Sequence, residues 1–159
     1  MDRFGLIGKN ISYSFSREFF KNKFKNEGIE NVSYENFDIQ NIEEFSKILN
    51  NNPNLKGLNV TIPYKESIIP FLNEMDSKAT KIGAVNTIKV SKNGNLKGYN
   101  TDYYGFSKSL EPHLKLGHKK ALILGTGGAS KAIAYALEQL EIETAFVSRN
   151  PSKETTFTY

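Results

Sequence analysis

Between Arg3 and Ile62 the apolar pattern switches repeatedly between the two-residue period of a strand and the 3.6-residue period of a helix. That switching constrains the fold most. Residues 3–7 read as a first strand, and residues 16–27 as a helix whose Phe19, Phe20 and Phe24 share a face before Gly28 stops it. Residues 32–39 form a second strand. Asn41 then opens a helix with Glu44 in the capping-box position and Phe45, Ile48 and Leu49 as its buried stripe, ended by Asn52 and Pro53. Residues 55–62 are a third strand. The order β, α, β, α, β predicts an α/β domain with a mainly parallel sheet.

The third strand ends in Asn59, Val60, Thr61, Ile62, Pro63, Tyr64 and Lys65, where Pro63 can add no ladder bond and the chain must leave the sheet. Lys65 is thereby carried to the mouth of the fold. In open α/β sheets ligands bind outside the carboxyl ends of the strands. Asn59 and Thr61 are two apart and face the same way. Ser14 and Ser16, also two apart, can both donate to a carboxylate in an extended segment, although Ser16 capping the following helix is an alternative reading. An asparagine here could equally satisfy only backbone, and an isolated lysine at a helix start is ordinarily just solvated.

Residues 67–72 read as a short helix interrupted by Pro70, and residues 76–83 as a second helical piece. Strands follow at 84–90 and 96–99, paired as a hairpin by Asn93 and Gly94. Thr101 caps a helix over 102–110, which leads through Pro112 and a lysine-rich stretch toward a second region. The domain boundary is placed near residue 101, giving domains 1–101 and 102–159.

That second region starts with a buried strand at 120–124, the turn Gly125, Thr126, Gly127, Gly128, a helix over 129–140 and a returning strand at 144–147. A glycine turn between strand and helix lets the backbone approach a pyrophosphate at the helix N-terminus, as in the first βαβ unit of a Rossmann domain. The returning strand ends without the acidic residue that would hold the ribose hydroxyls of NAD. Ser148, Arg149, Asn150 and Lys153 follow, suited to the 2′-phosphate of NADP, with a solvated basic loop as the alternative. One βαβ unit leaves apolar surface open, so the cofactor domain reads as incomplete and the chain as truncated or interrupted.

With 38% apolar and 24% charged residues among 159, a real core is affordable and disorder is excluded. The net charge of +4 comes from lysines spread along the chain, which indicates no nucleic-acid or membrane patch and fits an anionic small molecule equally well. Zero cysteines exclude disulfides and thiol nucleophiles. His113 and His118, five apart, read as parts of a solvated loop rather than metal ligands, so no metal is expected. No segment has the apolar core of a signal peptide or the roughly 20 apolar residues of a membrane span, which points to the cytoplasm.

Taken in order, Ser14 to Ser16, Asn59 to Lys65, Gly83 to Thr87, Asn100 to Asp102 and the glycine turn resemble the shikimate dehydrogenase family along essentially the whole chain. The resemblance implies an NADP-dependent oxidoreductase interconverting 3-dehydroshikimate and shikimate on the route to chorismate and aromatic amino acids. It assigns the substrate to Ser14, Ser16, Asn59, Thr61, Lys65, Asn86 and Asp102, with Lys65 and Asp102 as the catalytic pair. Cofactor contacts fall on Gly125, Thr126, Gly127, Gly128, Ala129, Ser148, Arg149, Asn150 and Lys153. Ser130 stands at the third glycine position of the fingerprint, where only small size is needed. Reduction of a ketone leaves an alkoxide that must gain a proton. A free lysine titrates at about 10.4, so Lys65 needs desolvation to serve near neutrality, while Asp102 would orient it. Amino-terminal coverage alone implies weak or no turnover by this chain. A quinate-using relative, a non-catalytic shikimate-binding module and a homodimer remain open.

Overall fold

Apolar residues at alternate positions on both sides of a strand need cover on both faces, and the first strand, β1 (Asp2–Gly8), obtains it at the interior of a sheet. The computed structural model describes residues 1–149 and 157–158. They divide into two compact units, one of residues 1–76 and 85–99, the other of residues 77–84 and 100 onward.

In the first unit, β1 is followed by α1 (Ser16–Asn26), β2 (Val32–Asp38), α2 (Phe45–Asn51) and β3 (Leu55–Val60). The short strand β4 (Glu74–Met75) comes next along the chain. The second unit's α3 (Ser77–Ile82) then intervenes before β5 (Thr87–Val90) and β6 (Leu96–Tyr99) return to the first. The six strands lie in the order β2-β1-β3-β5-β6-β4. β1 runs parallel to β2 and β3, and β4 parallel to β6, whereas β5 is antiparallel to both neighbours. The expected mainly parallel sheet is present. The hairpin follows from Asn93 and Gly94, with Gly94 at φ +84°.

The register aligns Phe4 with Tyr34 and Gly57, and Leu6 with Asn36 and Asn59, so these residues share the face toward α1. Leu6, Ile11 and Tyr34 are buried there with Phe4, Phe20 and Phe24 packed against them. Phe19 departs from the expected stripe: it stays 53% exposed and meets Phe20 edge-on. Phe20 and Phe24 are four apart and share a face, whereas Phe19 is a further 100° round the helix. On the opposite face Ile7, Leu58, Val60 and Ile88 are buried.

Glu44 accepts from the N–H groups of Gln40 and Asn41, as the capping pattern predicted, but the first turn it caps is a 3-10 turn, Ile42–Glu44. The helix expected over 67–72 is replaced by turns and a 3-10 turn, Ile69–Phe71, because Pro70 denies the segment an amide donor. Ala84 and Val85 are fully buried but precede the ladder of β5.

The second unit continues with α4 (Asp102–Leu110), β7 (Lys120–Leu124), α5 (Gly128–Gln139), β8 (Glu143–Ser148) and β9 (Phe157–Thr158). β7, β8 and β9 form a parallel sheet in that order. Ile123, Leu137 and Ile142 make its core, joined by Phe106 and Leu110 of α4. Among the described residues no helix is long and apolar enough to cross a membrane.

Candidate active site

The segment after β1 is held before it presents any side chain. The Asp38 carboxylate accepts from the N–H groups of Asn10 at 2.8 Å and Ile11 at 3.0 Å, and Asn36 Nδ2 donates to the Ile11 carbonyl at 3.3 Å. Ile11 itself is buried. A Cβ on Gly8 would lie 2.5 Å from Ile11 Cγ2 and 2.6 Å from Thr61 Cγ2, so only glycine lets this loop leave β1 beside Thr61. The Ser14 N–H then donates to the Ile11 carbonyl at 2.9 Å, and Ser14 Oγ accepts from the Ser16 N–H at 3.3 Å. Ser14, not Ser16, therefore supplies the side-chain acceptor at the start of α1. Both serines are half-buried, whereas the neighbouring rings of Tyr13 and Phe15 are exposed.

Across the sheet, the Thr61 N–H donates to the Ile7 carbonyl at 2.9 Å, and the Tyr64 N–H to the Thr61 carbonyl at 2.9 Å. The Ile62–Pro63 peptide in this turn is cis. Tyr64 is buried and donates its hydroxyl to the Ile39 carbonyl at 2.8 Å, pinning the turn to the core. Burial, with the carboxylates of Glu44, Asp38 and Glu43 adding to it, raises the Tyr64 pKa.

The half-buried Lys65 follows, and its carbonyl accepts from the Val85 N–H at 2.7 Å. The Asn86 carbonyl accepts from the Val60 N–H at 2.8 Å, while its own N–H donates to Tyr99 at 3.0 Å. Asn59 near the end of β3, and Thr61, Lys65 and Asn86 past it, thus sit on backbone segments laced to one another at the carboxyl ends of β1 and β3. Asn59 Oδ1 accepts from the Tyr34 hydroxyl at 2.8 Å, and Asn86 Oδ1 from the Thr87 hydroxyl at 3.1 Å.

In the second unit Asp102 opens α4, where the helix dipole favours a carboxylate. The expected cap Thr101 has helical backbone angles, and the buried Asn100 does the capping instead. Its Oδ1 accepts from the N–H groups of Asp102 at 3.0 Å and Tyr103 at 3.4 Å, and its Nδ2 donates to the Ala84 carbonyl at 3.0 Å.

Gly125 adopts φ +120°, which a side chain rarely tolerates, and a Cβ there would stand 3.3 Å from Ser130 Oγ. Gly127 is extended and leads into α5, so the N-terminal N–H groups of a 12-residue helix follow the glycine turn. This backbone fits a dinucleotide pyrophosphate. Thr126 is half-buried and Ala129 exposed beside it; at the end of β8 Ser148 is half-buried and Arg149 exposed. Asn150 and Lys153, also expected to hold the cofactor, lie outside the described residues. His118 Nδ1 accepts from the Lys115 N–H at 3.3 Å within its loop.

Sequence reasoning missed Tyr34, Asn36 and Asp38, and gave Asn100, though part of a quoted motif, no role of its own. The first three are spaced by two along β2, the period that places side chains on one face.

A mixed α/β unit with a polar strand-end cluster, followed by a glycine-turn βαβ unit, defines a protein of the dinucleotide-dependent dehydrogenase class. A family model described as the shikimate dehydrogenase substrate binding domain matches residues 6–88. The chain belongs to the shikimate dehydrogenase family. Shikimate dehydrogenase (NADP(+)) of Clostridium botulinum strain Hall is 48% identical over 153 residues, covering 94% of this chain and 58% of the relative. The crystal structure of shikimate dehydrogenase 1 from Peptoclostridium difficile matches with a TM-score of 0.88 at 36% identity, covering 100% of this chain and 61% of that one. Shikimate 5-dehydrogenase of Thermus thermophilus, solved in complex with shikimate, matches with a TM-score of 0.84 at 33% identity, over 97% of this chain and 59% of that one. This chain therefore spans less than two thirds of the length of these relatives.

Proposed function

We propose that the chain serves NADP-dependent shikimate dehydrogenase activity, the reversible reduction of 3-dehydroshikimate to shikimate in chorismate and aromatic amino-acid biosynthesis. The observation that carries this reading is the lacing of Asn59, Thr61, Lys65 and Asn86 onto neighbouring backbone segments, within a domain of the matching family. Ser14 and Ser16 hold the substrate carboxylate. Asn59, Thr61 and Asn86 bind its ring oxygens, and Lys65 with Asp102 gives or takes the proton at the reacting oxygen. The substrate-binding domain is residues 1–101 and the cofactor domain residues 102–159.

Gly125, Thr126, Gly127, Gly128 and Ala129 hold the NADP pyrophosphate, and Ser148, Arg149, Asn150 and Lys153 its 2′-phosphate. When bound, the cofactor supplies or accepts the hydride. The protein acts in the cytoplasm on a small molecule, as a monomer or homodimer, without nucleic-acid or membrane partners.

Binding is the direct test. Titration calorimetry should show shikimate uptake by the chain, weakened at least tenfold by Ser14→Ala with Ser16→Ala, about 1.4 kcal/mol or more. Unchanged affinity in that variant would sink the carboxylate assignment, and stronger uptake of quinate would shift the substrate. Separate titrations with NADPH and NADH test the cofactor site: Arg149→Ala should erase any preference for NADPH. Uptake of shikimate with no uptake of NADPH would favour a binding module over a dehydrogenase.

A further inference from the structure

We propose that Tyr34 is a positioning residue that fixes the Asn59 side chain as a hydrogen-bond donor to the ligand, an inference that rests on the shikimate-site reading above. An asparagine amide has an acceptor end and a donor end of nearly the same shape, and its neighbours decide which end faces a ligand. Here the Tyr34 hydroxyl, 2.8 Å from Asn59 Oδ1, takes the acceptor end. Among the described residues the Asn59 Nδ2 meets no acceptor, so its two N–H groups are left for a ligand.

Tyr34 cannot readily swing away. It is 7% exposed and its ring stacks on Phe20 at 4.3 Å with an interplanar angle of 14°. Burial also keeps the phenol protonated far above neutral pH, so it remains a donor wherever the protein works. A second hydroxyl-to-amide contact lies at the start of β5, where Thr87, the cross-strand partner of Asn59, donates to Asn86 Oδ1 at 3.1 Å. Two protein hydroxyls thus face two amide oxygens. The Asn59 amide, turned this way, receives a ligand oxygen with a free lone pair.

Shikimate titrations on the wild-type chain, Tyr34→Phe, Asn59→Ala and the double variant test the assignment. Tyr34→Phe keeps the ring and its packing, and should weaken shikimate binding roughly five- to twentyfold through loss of one hydrogen bond. In the Asn59→Ala background the same change should cost less than about twofold, because the pair acts through one amide. An equal loss in both backgrounds, or no loss in either, overturns the proposal. Without ligand, the Asn59 side-chain Cγ resonance should move in Tyr34→Phe, and an unmoved resonance overturns it as well. A chain that takes up no shikimate while that resonance still moves overturns the shikimate reading and upholds the amide orientation.

Discussion

Two buried tyrosines support the site, and burial holds both phenols protonated to a higher pH than an ordinary phenol. The pKa values of Tyr34 and Tyr64 are raised above the ordinary phenol value, foremost by loss of solvent. Above about pH 10 the unfolded chain gives up these protons while the folded chain retains them, so folding stability falls with rising pH. The contribution is complete below that pH and lost through the alkaline range. Urea unfolding between about pH 9 and 11 should show the decline, and Tyr34→Phe with Tyr64→Phe should flatten it. At neutral pH, Tyr64→Phe leaves the Ile39 carbonyl without its hydroxyl donor and should cost about 1–2 kcal/mol by the same measurement. Ser14, Asn59, Thr61 and Lys65 were visible in the sequence because reactive residue types recur there at strand spacing. Tyr34 and Asp38 were not, since their roles depend on β2 lying beside β1, a lateral placement that no local window contains.

Elements were easiest to read where a terminus carried its own chemistry. The Glu44 pattern and the Asn93–Gly94 turn declared themselves, whereas the start of α4 misled by one residue. Thr101 and Asn100 both suit a cap, and the choice was made by Ala84, whose carbonyl takes the Asn100 amide and is sixteen residues away. Asn100→Ala should therefore cost about 2 kcal/mol of stability in thermal unfolding, more than an ordinary exposed cap, because it strips three hydrogen bonds at a buried position. The serine loop offers a matching test. Asp38→Ala removes the acceptor of two backbone N–H groups and should weaken shikimate binding severalfold without touching the ligand. Equal affinity in that variant would mean that Ile11 alone holds the loop.

At the scale of the whole molecule, the alternation of strand and helix revealed two sheets and the parallel pairing within each. The antiparallel entry of β5 beside β3 was less legible, because strand order depends on which edge a hairpin finds. The second sheet also keeps apolar residues in water: Ile123 is buried with α5, while Leu122 and Leu124 remain 64% and 69% exposed. Alternation along β7 places those leucines on the opposite face. An open face of this kind should bind an apolar fluorescent dye, and Leu122→Thr with Leu124→Thr should reduce the signal while circular dichroism stays the same.

The hairpin offers a practical opening. Asn86 and Tyr99 stand at its base beside Lys65, and residues 91–95 form its exposed tip at the far end of β5 and β6. A reporter peptide inserted between Asn93 and Gly94 would be a handle on the protein that leaves the lysine where it is, since exposed loop tips tolerate insertion.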